Sequence, residues 1–158
     1  MAFSLPGTIT SWFAYRLFRS PFARRSERVH QWTMKLFRYG AERGNCSALA
    51  TYGSLLHFRG SDESSRLQGA LYIKAAAEQG DLKSCWLLAQ FYERGVLPVI
   101  AQDSVKALAL LQTAATQGHP LAIKRLIKVY RDGELGEAAN PELVAKWSAL
   151  QSGPDASH

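Results

Sequence analysis

Acidic residues are missing from the start of this chain: between Met1 and Ser26 there is no Asp or Glu. Long apolar runs are missing throughout. No stretch approaches the roughly 20 consecutive apolar residues that a membrane-spanning helix needs. Cysteine is scarce, with only Cys46 and Cys85, so there is no disulfide framework, and two small, partly buried thiols suit a reducing compartment. The four histidines, His30, His57, His119 and His158, show no metal-ligand spacing with either cysteine. There is no Gly-rich phosphate loop and no nucleophile motif. Asp62–Glu63 and the pair Glu134 and Glu137 read as solvated loop charges. The sequence therefore predicts no catalytic residue, no metal ligand and no cofactor.

The charge is unevenly placed. The 158 residues carry a net +6, and the segment through Gly44, with eight Lys or Arg against two Glu, accounts for all of it. Beyond Gly44 the eleven cations and eleven acids cancel. A neutral body with a basic leader offers no continuous basic track for nucleic acid.

What the chain does have is a repeat, and Ala75 to Gly95 shows it best. Glu42-Arg43-Gly44-Asn45 returns as Glu78-Gln79-Gly80-Asp81 and again as Thr116-Gln117-Gly118-His119, at offsets of 36 and 38 residues. A second series, Gly60, Gly95 and Gly133, runs in step at offsets of 35 and 38. Each Gly follows a run of helical periodicity, where the chain turns through a left-handed conformation. Periods of this length belong to helical repeats. Ser84, Leu88, Ala89 and Tyr92 form an i, i+4, i+5, i+8 packing face. Ala122, Leu126, Ile127 and Tyr130 repeat it, and Ala48, Tyr52, Gly53 and Leu56 repeat it once more. The small residue at i+5, Gly53 or Ala89, lets a neighbouring helix come close. In the segment before Gly44, Val29, Trp32 and Leu36 form an apolar stripe. Asp103 and Asn140, the latter followed by Pro141, are N-cap candidates.

Leu88, Ala89, Tyr92 and Gly95, then Asp103-Ser104-Val105-Lys106-Ala107, then Ala114-Ala115-Thr116-Gln117-Gly118, resemble the Sel-one-like repeat family, relatives of tetratricopeptide repeats. The resemblance spans roughly Glu27 to Leu150. Repeat one has a degenerate first helix, and repeat three lacks the closing Ala-Ala-xx-Gly. The resemblance implies an all-α, right-handed solenoid (an α/α superhelix) of about seven helices in antiparallel pairs. A half repeat over 27–44 precedes repeats over 45–80, 81–118 and 119–151, and residues 152–158 form a tail. It also implies a non-catalytic adaptor or scaffold, often in bacterial envelope or signalling systems, that binds a protein or peptide on a concave face lined by the first helices. Positions i+2, i+6 and i+9 of those helices are then Ala50, Ser54 and approximately His57 in repeat one. They are Trp86, Gln90 and Glu93 in repeat two, and Lys124, Lys128 and Arg131 in repeat three. A Trp beside cations is an anchor for a peptide with an aromatic or acidic element. The alternative is that Trp86 packs between repeats and the cations are a solvated stripe.

Residues 1–26 admit three readings. Thr8 to Arg19 has the pattern of a short helix stopped near Pro21. Phe13, Ala14, Leu17 and Phe18 share one side, Trp12, Tyr15, Arg16 and Arg19 the other, and Arg24 and Arg25 follow. One reading is a cap whose aromatics cover the end of the solenoid. The second is an amphipathic arm that recruits the protein to anionic lipid. The third is an Arg-rich targeting segment. A secretory signal does not fit, because the charges follow the apolar run and no small-residue cleavage site is evident. The expected location is cytoplasmic, or peripheral at the inner face of a membrane.

Overall fold

The computed structural model describes residues 27–152. The sequence readings on Trp12, Phe13, Arg16, Phe18, Arg19, Arg24 and Arg25, and on the tail beyond Ser152, lie outside the described residues. Within them the chain forms seven α-helices: α1 (Glu27–Glu42), α2 (Cys46–Arg59), α3 (Glu63–Glu78), α4 (Leu82–Arg94), α5 (Ser104–Thr116), α6 (Pro120–Asp132) and α7 (Pro141–Ser152). The fold is all-α, with one isolated antiparallel bridge between Val96 and Ile100 in the α4–α5 loop. The chain divides into two compact units, one ending at Asp81 and the other starting at Leu82.

The turns follow from the repeated Gly. Gly44, Gly80 and Gly118 all have φ between +74° and +88°, a conformation that costs Gly little and a residue with a Cβ more. The same hydrogen bond closes each turn. Asn45 N donates to Gly40 O at 3.1 Å, Asp81 N to Ala76 O at 3.0 Å and His119 N to Ala114 O at 3.0 Å. This six-residue closure satisfies carbonyls that the helix end leaves open. The next helix is then capped at once: Asn45 Oδ1 accepts from Ala48 N at 3.0 Å, and His119 Nδ1 accepts from Ala122 N at 3.3 Å. The two cap candidates read from sequence hold as well. Asp103 Oδ1 accepts from Lys106 N, and Asn140 Oδ1 from Glu142 N and Leu143 N. Gly60 departs from the expected left-handed turn. Its φ is −59° and ψ 134°, so the chain runs on extended to the cap at Asp62, whose carboxylate accepts from Ser65 N at 2.7 Å. Gly60 is needed for space, because a Cβ there would stand 2.9 Å from Ser65 Cβ.

In the first unit α1 packs on α2 and α2 on α3. Ala41, Ala48, Leu49 and Ala76 form a buried cluster, with Tyr52 and Tyr72 against it, their rings 5.5 Å apart. At Trp32 and Leu36 the expected α1 stripe is not the buried face. Trp32 is 66% exposed and Leu36 half-buried, while Thr33, Phe37, Gly40 and Ala41 are buried. The small residues explain the choice of face: a Cβ on Gly40 would lie 2.8 Å from Ala48 Cβ, so α1 lies close against α2.

In the second unit α4 packs on α5, α5 on α6 and α6 on α7. Leu88, Ala89, Leu111, Ala114, Ala122, Leu126, Val129 and Tyr130 are buried. The Tyr130 hydroxyl accepts from Gln112 Nε2 at 2.9 Å. Tyr92, expected at the equivalent packing position, is only half-buried, and Lys106 Nζ stands 5.5 Å from its ring.

Candidate functional site

Helix α6 carries two faces. Ala122, Ile123, Leu126, Val129 and Tyr130 are buried. Leu121, Lys124, Ile127, Lys128 and Arg131 recur at three- and four-residue spacings on the opposite side, where helical neighbours lie about 5–6 Å apart. Together with Trp86 of α4, Arg125 and Gln151 of α7, these residues line a cleft of about 460 Å³. Ile127, expected on the packing face, is half-buried and lines the cleft instead.

Trp86 is held rather than free. Its ring stacks on His119, with centroids 5.5 Å apart and planes 24° apart. His119 is itself fixed as the N-cap of α6. Burial pushes its pKa below the ordinary value, which agrees with the cap, since a ring nitrogen that accepts from Ala122 N carries no proton. The side chain that orients the indole is thus uncharged at neutral pH.

An ion-pair network flanks the cleft. Arg125 Nε lies 3.2 and 3.1 Å from the two Glu93 carboxylate oxygens, and its Nη2 donates to Glu93 Oε2 at 2.8 Å. Its Nη1 donates to Glu134. Burial works against the Arg125 charge, but the bonds to Glu93 and Glu134 outweigh it and hold the guanidinium above its ordinary pKa. Lys128 Nζ reaches Glu134 at 2.8 Å, and Arg131 Nε reaches Asp132 at 2.9 Å. The hydrogen bond from Lys128, followed by that from Arg125, keeps the Glu134 carboxyl below its usual range. Lys124 makes no ion pair with any described residue.

Of the residues read from the sequence as a groove, Trp86, Lys124, Lys128 and Arg131 come together in this cleft. Gln90 is half-buried on α4, and Glu93 turns to Arg125. Neither lines the cleft. Ser54 and His57 belong to the first unit. Ser54 is half-buried, and His57 Nδ1 lies 3.0 Å from the Arg66 carbonyl with its ring edge-on to Phe58. Leu121 and Arg125 escaped the sequence reading, although Leu121 lies three residues before Lys124 and shares its face. Gln151 left no such signal. Among the described residues no group of three or more His, Cys, Asp or Glu could hold a metal ion. No described helix is long and apolar enough to cross a membrane.

No protein-family model and no curated protein matches the chain. Solved structures do. A Sel1 repeat protein from Oxalobacter formigenes superposes with a TM-score of 0.74 at 23% identity, over 90% of this chain and 56% of its own. A protective antigen present in uropathogenic Escherichia coli strains, displaying an SLR fold, superposes with a TM-score of 0.73 at 21% identity. That match covers 93% of this chain and 30% of the antigen. The chain therefore spans about half the length of the first structure and less than a third of the second. Its fold is that of the Sel-one-like, tetratricopeptide-like α-solenoids.

Proposed function

On that fold, we propose that the chain is a non-catalytic adaptor whose second unit anchors a peptide segment of another protein in the Trp86 cleft. The observation that carries this is the state of Trp86, half-buried and stacked on His119 at the wall of a cleft that also holds Lys124 and Arg131. An indole held in place loses little conformational freedom when a ligand arrives, and aromatic anchors in such pockets dominate interface energies. Helix pairs packed on one another supply the rigid support that a recognition site needs. Peptides selected from a random library on the full chain test the proposal. Trp86→Ala is expected to weaken them roughly 30-fold, the equivalent of about 2 kcal/mol. Val105→Ala, 78% exposed on α5 and outside the cleft, is expected to leave them unchanged. Selected peptides that hold Trp86→Ala as tightly as wild type place the anchor elsewhere.

A second reading, recruitment to the inner face of a membrane, gains support from α1. Trp32, Lys35 and Tyr39 on the helix and Arg43 in the turn that follows it form one exposed stripe. Lys35 Nζ lies 5.6 Å from the Trp32 ring, and the Arg43 guanidinium lies 4.2 Å from the Tyr39 ring. Aromatics interleaved with cations suit the headgroup zone of an anionic bilayer. Co-sedimentation with phosphatidylglycerol vesicles, and not with phosphatidylcholine vesicles, is the expected result. Binding that survives deletion of residues 1–26 removes the role of the arm, and no binding by the full chain removes this reading.

A further inference from the structure

Four cations border the cleft, but they are not equally available to a ligand. Arg125 is engaged on both sides, by Glu93 and by Glu134. Lys128 shares Glu134, and Arg131 has Asp132. Drawing Arg125 or Lys128 toward a ligand strips a partner from Glu134, a carboxylate that is 31% exposed and therefore partly desolvated. Drawing on Lys124 breaks nothing. Four cations against the three carboxylates Glu93, Asp132 and Glu134 leave one positive charge in excess, and the geometry places it at Lys124.

Lys124 also stands between the two aliphatic residues of the cleft. Leu121 precedes it by three residues and Ile127 follows it by three, each about 5–6 Å away along the helix surface. Trp86 completes the apolar wall, with one ring face covered by His119. A ligand that satisfies all of these carries one carboxylate and, beside it on the same face, one apolar side chain, a separation of roughly 6–7 Å in an extended chain. In an extended peptide, residues two apart fall on the same face at that spacing, because each residue advances the chain about 3.3 Å. We propose that the cleft selects an extended segment with an apolar residue and a single Asp or Glu two positions apart, and that Lys124 reads the carboxylate. A polyanion fits poorly, because its further charges have no unpaired cation to meet and three carboxylates nearby to repel them. This inference rests on the adaptor reading above and sharpens it.

The test uses full-length protein and three blocked peptides: acetyl-Ser-Phe-Ser-Glu-Ser-amide, its Gln counterpart, and a counterpart with phosphoserine in place of Glu. The readout is the indole N–H resonance of Trp86, assigned by its loss in Trp86→Phe. The Glu peptide is expected to shift it saturably, with the Gln peptide at least about 10-fold weaker, a difference near 1.4 kcal/mol. Lys124→Gln is expected to abolish the Glu/Gln difference, while Lys128→Gln keeps it. Lys124 is exposed on α6, and the dispersion of the amide spectrum verifies that each variant is folded. A Glu/Gln preference that persists in Lys124→Gln overturns the assignment, and so does a phosphoserine peptide that binds 10-fold tighter than the Glu peptide. Equal binding of the Glu and Gln peptides leaves the adaptor reading standing and overturns only the role of Lys124. No shift with any of the three overturns both.

Discussion

Gly53→Ala and Gly69→Ala are each expected to lower the stability of the first unit by about 1–3 kcal/mol, the cost of overpacking a close contact. Helix propensity argues the other way, since Ala in place of an interior Gly gains up to about 1 kcal/mol. The collision decides the sign. A Cβ on Gly53 would lie 2.9 Å from Gly69 O, from Ile73 N and from Tyr72 Cβ, and one on Gly69 would lie 2.7 Å from Gly53 O. These neighbours are mostly backbone, so no rotamer change relieves the contact. The two glycines face each other across α2 and α3, and an added methyl forces the helices apart. Separating them loosens the packing around Ala48, Leu49, Ala70 and Ile73, all buried. Urea titration followed by helical circular dichroism measures the effect. A midpoint equal to or above that of wild type in Gly53→Ala shows that propensity won and that the helices are not in this contact.

Leu126→Ala is expected to cost about 2–5 kcal/mol, the range for a fully buried leucine that leaves a cavity. Leu126 has no solvent exposure and sits on the α6 face that also buries Ala122, Val129 and Tyr130. Leu121→Ala makes the same chemical change five residues earlier, where the side chain is 53% exposed, and is expected to stay within about 0.5 kcal/mol. Comparing the two removes helix propensity from the argument, because both substitutions replace Leu by Ala in one helix. Equal losses for the two variants contradict the assignment of buried and open faces to α6. A folded Leu121→Ala protein also provides a probe of the cleft, since Leu121 lines it.

Much of the fold is local chemistry and was therefore legible. The turn at Gly44, Gly80 or Gly118 closes within six residues, and its signature lies in one short string. Caps at Asp103 and Asn140 reach only two or three residues ahead. Helical periodicity identified Leu88, Ala89, Leu126 and Tyr130 as core, because one face of each helix is distinctly more apolar. Equivalent positions in successive repeats brought Trp86 and Lys124 into one list, and the structure puts them in one cleft.

The sequence by itself thus determined the helices, the turns at Gly44, Gly80 and Gly118, the repeat period and the solenoid class, because bonds between near neighbours decide these. Tertiary structure alone decided which face a helix buries when both carry apolar side chains. In α1, Gly40 and Ala41 could lie close against α2 and Trp32 could not, so the large aromatic was left at the surface. Tertiary structure alone also decided which charges remain available. Glu93 and Arg125 stand 32 residues apart in sequence, and nothing local in either sequence context points to the other. Their pairing removes Glu93 from the cleft and occupies Arg125, and with Glu134 drawing on Lys128 it leaves Lys124 as the unpaired cation among the described residues of the cleft. Such choices depend on which groups the packed helices bring within a few ångströms, a property of the assembled fold and not of any one segment.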